Sequence, residues 1–312
     1  MQKWITFLMT CLVGTTSCLT AAMGDVNGLI GYRNDMLSFD NKVPRRNPLF
    51  KEKAEFKNVD IFQIGVNAKT TLGCNFYGRA EATFGWVLDG EVERKASLRQ
   101  RVFDDYSNGF ERVDEQKHKN LIDDRYVYDI NAAVGYPFYF CDYTTVVAPV
   151  VGYAFNSQTF CGYDNFAFNP DNCSSAETSC CKRSLLTRWY GPFVGVDMNY
   201  RACNDSWNFF GAVEYHFGRL KTRRSVDNSI NDRFSTHSNM DGWVVNVGAD
   251  KEINDQWTVG LYFKYSDFTG SKNQRWFADA SSDDSSIDSG LKGKRKANWN
   301  SYAINVELGK QF

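Results

Sequence analysis

The stretch Tyr302, Ala303, Ile304, Asn305, Val306, Glu307, Leu308, Gly309, Lys310, Gln311, Phe312 places large apolar side chains at alternate positions and small or polar ones between them. Strand side chains alternate between two faces, so this run has one greasy face and one polar face. A single run of this kind also fits the edge of a soluble sandwich. The pattern recurs ten times along the chain, however, with connections that alternate long and short. That combination is the sequence signature of a transmembrane β-barrel.

Working back from the C-terminus, the expected strands lie near 25–34, 58–69, 75–89, 125–139, 145–157, 189–201, 207–218, 241–251, 257–267 and 302–312. The third is the clearest: Phe76, Ala80, Ala82, Phe84, Trp86 and Leu88 alternate with Tyr77, Arg79, Glu81 and Thr83. Apolar faces repeatedly begin or end in Trp or Tyr, as the aromatic girdles of a barrel require. Short connections follow the second, fourth, sixth and eighth strands. Connections of about 20 to 35 residues follow the first, third, fifth, seventh and ninth. Long polar loops are unusual in compact soluble domains but normal on the outer side of an outer-membrane barrel. The expected fold is therefore all-β, an antiparallel up-and-down transmembrane barrel of about ten strands. Long loops would be extracellular, and short turns and both termini periplasmic.

Composition agrees with strands: aromatic residues are 15% of the chain and prolines number only 6. The mean hydropathy of -0.46 is low, but only alternate barrel residues face lipid. A formal net charge of -1 gives no bulk attraction to nucleic acid, and none is expected as a partner. Lys3, the apolar stretch Trp4 to Val13 and the small residues Thr20, Ala21 and Ala22 read as an export signal. Residues 1–22 are expected to be removed, leaving 23–312 as the barrel domain.

The inward faces carry Arg79, Glu81, Asp129, Asp197, Arg201, Glu214, His216, Lys264 and Glu307. Barrels of about eight strands are filled by side chains, and open aqueous channels appear at about 16–18. Charges in a narrow dry lumen must pair. They form either a hydrogen-bonded plug or the lining of a narrow path for ions and small solutes. No catalytic residue, metal or cofactor is assigned.

The 9 cysteines divide by position. Cys11 and Cys18 leave with the signal. Cys161, Cys173, Cys180 and Cys181 share the third outer loop and can form two bridges by any of three pairings. Bridges closing loops of this size contribute about 3 kcal/mol each in the chain-entropy model. Cys74, Cys141 and Cys203 sit at the short turns. Two strands separate those turns, roughly 10 Å at about 4.8 Å per strand, while a disulfide needs Cα atoms within about 7 Å. At least one of them is expected to bond to a cysteine-containing periplasmic protein.

The strand plan, the long loops and these cysteines resemble the Protochlamydia outer membrane protein type of chlamydia-like bacteria. That resemblance implies a disulfide-coupled envelope barrel. It also implies that the terminal aromatic Phe312 is the signal read by the barrel assembly machinery. The plan is similar, too, to the omptins, ten-stranded outer-membrane proteases with an acid pair and an Asp-x-His pair at the mouth. Asp89-Gly90-Glu91 stands where the acid pair would be. The fourth outer loop has no Asp-x-His, and Glu214-Tyr215-His216 precedes it. Three uses follow: a structural or porin-like envelope protein, an omptin-like endopeptidase, or an adhesin or receptor working through its loops. Basic clusters in the loops, including Arg219, Lys221, Arg223 and Arg224, are suited to the phosphates of lipopolysaccharide in the lipid leaflet.

Overall fold

The computed structural model describes residues 22–44, 49–72, 76–104, 107–123, 126–141, 144–163, 182–202, 207–226, 234–254, 256–276 and 291–311. Twelve strands occupy almost all of these residues: β1 (Ala22–Pro44), β2 (Leu49–Leu72), β3 (Phe76–Asp104), β4 (Ser107–Asp123), β5 (Tyr126–Gly135), β6 (Phe138–Phe140), β7 (Thr145–Tyr163), β8 (Lys182–Arg201), β9 (Trp207–Val226), β10 (Phe234–Asn254), β11 (Trp257–Trp276) and β12 (Leu291–Gln311). β4 and β5 pair with successive parts of β3, and β6 continues the wall beside β7. The three form one stave of the barrel, and the staves number ten. The run that decides the fold closes it: β12 pairs antiparallel with β1 from Asp25↔Gln311 to Lys42↔Lys294. With β1 and β12 joined, the sheet has no free edge.

Below one level on the wall, the outward face suits lipid. Val26, Ile30, Ile64, Val66, Val194, Val196, Leu261, Ile304 and Val306 are exposed there. Phe76, Phe138, Phe140, Tyr200, Trp207 and Trp257 ring the rim of short turns. Tyr32, Trp86, Tyr126, Trp243, Tyr265 and Tyr302 ring the far side of the apolar band. These two girdles bracket the band that a hydrocarbon layer would cover. No helix among the described residues is long and apolar enough to cross a membrane, so any crossing is made by strands.

The expected long loops are the main correction. A transmembrane strand needs about 9–11 residues. Here β1 has 23, β2 24, β10 21 and β12 21. The sheet runs on well past the loop-side girdle, and much of each supposed loop is continued wall. In this upper part the polarity of the two faces is reversed. On β2 the outward residues become Lys51, Lys53, Glu55 and Lys57, while Ala54, Phe56, Val59 and Ile61 are buried inside. Outside the membrane the solvent is water, so charge faces out and apolar groups face in.

Bulges keep this pattern in phase. Between Asp35 and Leu37 of β1, β2 inserts an extra residue: Asp35 pairs with Val59 and Leu37 with Phe56. Lys57 and Asn58 then face outward in succession, and Asn58 takes φ 50°, in the left-handed region. On β3, Leu88 and Asp89 are likewise both exposed, at the register shift between Ile61↔Val87 and Asp60↔Asp89. Each bulge restores apolar residues to the inside after the crossing.

Asn tolerates a left-handed backbone, whereas a β-branched residue does not. Asn58→Gly is expected to leave stability nearly unchanged, and Asn58→Val to cost about 1–2 kcal/mol. Urea unfolding in detergent micelles measures the difference.

Candidate functional site: the filled lumen

The inward side chains fall into three layers. Nearest the short turns, amides and carboxylates link staves that are adjacent or one apart. Asn27 donates to Asn67 at 2.9 Å, and both approach the Glu307 carboxylate at 3.4 Å. Gln63 donates to Asn305 at 2.6 Å, and Asn208 to Asp250 at 3.0 Å.

The middle layer holds the charges. Arg79 lies 2.7 Å from Asp197 and 2.6 Å from Glu214. Tyr77 donates to Asp197 at 2.9 Å. Glu214 also meets the His216 ring at 2.6 Å. Lys264 donates to Glu81 at 2.7 Å, and the Tyr262 hydroxyl lies 3.3 Å from the same carboxylate. A second cluster sits higher. Arg33 grips Asp35 through two nitrogens, at 2.7 and 2.8 Å, and reaches Asp129 at 2.5 Å. Gln158 adds a bond to Asp35 at 2.8 Å. The bonds of Arg79 to β8 and β9, of Lys264 to β3, of Arg33 to β5 and of Gln158 to β1 join different staves and tie the wall together across its interior. Charges buried this deeply persist only because they are paired.

Above the charges lies an apolar layer. It is built from Leu37 and Phe39 of β1, Phe56, Val59 and Ile61 of β2, Val87 and Val92 of β3, Val127 of β5, Phe160 of β7, Leu185 and Trp189 of β8, Leu220 of β9, Met240 and Val244 of β10, Phe268 of β11 and Trp299 of β12. All ten staves contribute. Trp189 is fully buried, Trp299 nearly so, and their rings lie 5.9 Å apart. Phe268 stacks on Trp299 at 5.0 Å and meets the His216 ring edge-on at 5.3 Å. Arg33 rests 5.3 Å from the Trp299 ring, joining the two layers. A Cβ on Gly218 would stand 2.3 Å from the Tyr190 carbonyl oxygen and 2.7 Å from the Gly191 Cα. The two staves β8 and β9 approach closely there.

Of the inward charges expected from the sequence, Arg79, Glu81, Asp129, Asp197, Glu214, His216, Lys264 and Glu307 all point into the lumen. Arg201 does not share that environment. It stands at the turn-side end of β8, with its side chain 56% exposed, and pairs with Glu252. The Arg33–Asp35 pair and the apolar layer were not foreseen. Strict alternation from Asn27 already puts Arg33 inward, but the expected strand ended at 34 and Asp35 was not counted.

The acid pair and the histidine of the endopeptidase reading are separated by the wall. Asp89 and Glu91 lie on the outward face of β3. His216 is 2% exposed and sits inside the lumen, stacked 4.7 Å from Phe193. Among the described residues no group of three or more His, Cys, Asp or Glu is arranged to hold a metal ion. Cys141 is free and exposed at the turn between β6 and β7. Its φ is 51°, and its carbonyl accepts from the Thr144 amide at 3.2 Å and hydroxyl at 2.8 Å. Cys161 lies in β7 with its side chain outside what is described. Cys74, Cys173, Cys180, Cys181, Cys203, Phe312 and residues 1–21 lie outside the described residues.

Removing Arg33 strands two buried carboxylates. Arg33→Gln is expected to cost about 3–5 kcal/mol, and Arg33→Gln with Asp129→Asn less than the sum of the two single changes. A double-mutant cycle by urea unfolding reads the coupling.

The profile of the family described as Protochlamydia outer membrane protein matches residues 29–312. Comparison with curated proteins by sequence finds no match. Among solved structures, the chain is similar to the outer membrane protease OmpT from Escherichia coli. The TM-score is 0.60 and the identity 14%, over 92% of this chain and 97% of that one. At that identity the likeness is one of fold. A FadL homologue and OprG, both from Pseudomonas aeruginosa, each match with TM-score 0.32 and 10% identity. The first covers 93% of this chain and 90% of its own length, the second 94% and 96%.

Proposed function

This chain belongs to the Protochlamydia outer membrane protein family and is an outer-membrane β-barrel protein, and we propose that it serves as a sealed structural barrel of the envelope. The observation that carries this reading is the apolar layer to which every stave contributes. An ion crossing the barrel would have to leave water and pass the packed rings of Trp189, Phe268 and Trp299. Burial of an unpaired charge in such surroundings costs several kcal/mol at least. The paired charges beneath the layer stiffen the wall instead of lining a path. The omptin-like constellation is not assembled, since Asp89 and Glu91 face away from the lumen that holds His216.

In this reading the short turns and both ends of the mature chain face the periplasm, after removal of residues 1–22. Phe312 is read there by the assembly machinery. The tall upper wall, with Cys161 on β7, stands outside the cell. The exposed free thiol of Cys141 supports a second part of the role. It sits at the turn between β6 and β7, on the rim this reading assigns to the periplasm, open to a cysteine of another envelope protein.

Two measurements test these parts separately. In planar bilayers the refolded protein is expected to give no conductance steps, with or without reductant. Steps should appear when Trp189→Ala, Phe268→Ala and Trp299→Ala together hollow the layer. Regular steps from the unaltered protein would overturn the sealed-barrel reading. On gels of isolated envelopes, omission of reductant is expected to shift the chain into larger species, and Cys141→Ser to weaken that shift. Monomer under both conditions would end the coupling idea.

A further inference from the structure

The outward face above the loop-side girdle is unevenly charged. On the β1–β2–β3 sector, opposite charges neutralise one another: Lys57 lies 3.2 Å from Glu55 and 2.8 Å from Glu93, Lys95 lies 3.2 Å from Glu93, and Lys53 pairs with Glu55. Farther round, β11 and β12 present Asp267, Asn298 and Asn300 at this height. The sector between them differs. Arg219, Lys221 and Arg223 occupy successive outward positions on β9. Arg188 of β8 is the register partner of Lys221, and His237 of β10 stands on its other side. Among the described residues, none of these four cations has a carboxylate within the 4.0 Å of an ion pair. The nearest acidic neighbour on that face, Asp241, is one step lower, opposite Phe217. The Arg188 Nε is buried without a hydrogen-bond partner.

Height matters as much as charge. Phe217 is exposed at the top of the apolar band. Each outward step along a strand is about 6.6 Å, which is about 5 Å along the membrane normal at a tilt of about 45°. The headgroup zone adds roughly 5–8 Å beyond the hydrocarbon on each side. Arg219 therefore stands within the headgroup layer, Lys221 a little above it and Arg223 about one step higher still, where its long side chain can reach back down. Beside them, the rings of Tyr128, Phe155 and Tyr190 form a stacked row across three strands, at 5.8 and 6.2 Å, suited to acyl chains.

We propose that Arg188, Arg219, Lys221 and Arg223 form a binding belt for the phosphate groups of a phosphorylated lipid in the leaflet at the loop-side rim. Guanidinium groups bind phosphate through two parallel bonds, and lysine adds a point charge. Four uncompensated cations are unfavourable together at a low-dielectric boundary, and an anionic headgroup relieves that repulsion. The belt is independent of whether the lumen conducts.

The refolded full chain in zwitterionic micelles is examined by native mass spectrometry against three probes: a bisphosphorylated glucosamine-disaccharide lipid, the same lipid with both phosphates removed, and excess inorganic phosphate as competitor. The phosphorylated lipid is expected to be retained at least about tenfold more than its dephosphorylated form, with inorganic phosphate displacing none of it. Arg219→Gln/Lys221→Gln/Arg223→Gln should abolish most of that preference, and Lys51→Gln/Lys53→Gln should keep it. Heat-dependent mobility on gels checks that each variant is folded. If the triple variant fails that check, Arg188→Gln alone is measured and should reduce the preference severalfold. Equal retention of the two lipids, equal loss in the β2 control, or displacement by inorganic phosphate would overturn the proposal.

Discussion

Closure of the sheet between β1 and β12 is the constraint on which everything else depends. Once the last strand pairs with the first, no edge is left, and every side chain has only two destinations, inside or outside the tube. The wall then crosses two solvents. Along the band between the girdles the outside is hydrocarbon, so Ile64 and Val66 face out while Gln63 and Asn67 face in. Above the loop-side girdle the outside is water, so Lys51 and Lys53 face out while Ala54 and Phe56 face in. The same strand is a membrane strand in one half and a strand of a water-soluble barrel in the other. The bulges at Lys57–Asn58 and Leu88–Asp89 lie at the change of solvent and bring the inward set back into phase.

The filled lumen follows from that inversion. A barrel whose upper interior is apolar packs its own side chains there, since ten staves enclose little more than the space those side chains occupy. The charges beneath are then shut between this layer and the turn-side rim. Their pairing, Arg33 with Asp35 on its own strand and with Asp129 across the lumen, Arg79 with Asp197 and Glu214, Lys264 with Glu81, is what makes their burial tolerable. A likeness of fold to an outer membrane protease leaves this arrangement intact, because the residues that would do its chemistry here are divided between the two faces of the wall.

The lower half of each stave was legible because lipid demands large apolar groups at every second position, and Phe62, Ile64 and Val66 or Ile304, Val306 and Leu308 announce themselves. The inward charges followed by alternation alone. The upper half was not legible for three physical reasons. Its outward face meets water, so residues such as Lys51, Lys53, Glu55 and Lys57 look like a solvated loop. Its inward face is small in places, as at Ala54 and Ala297. The bulges, finally, interrupt the count of two, so that Val59 and Phe56 fall out of phase when read as letters. The Arg33 cluster was lost with the same boundary, one residue short of Asp35.

The claim that one continuous wall carries both solvents is tested most directly by hydrogen exchange of the refolded protein in micelles, resolved to short peptides. Amides of 49–61, 183–190 and 296–301 are expected to exchange as slowly as those of 62–72 and 302–310, because the sheet continues unbroken through the girdle. Exchange of the upper segments within seconds, with protection confined to the lower ones, would show ordinary solvated loops above the membrane and contradict the account.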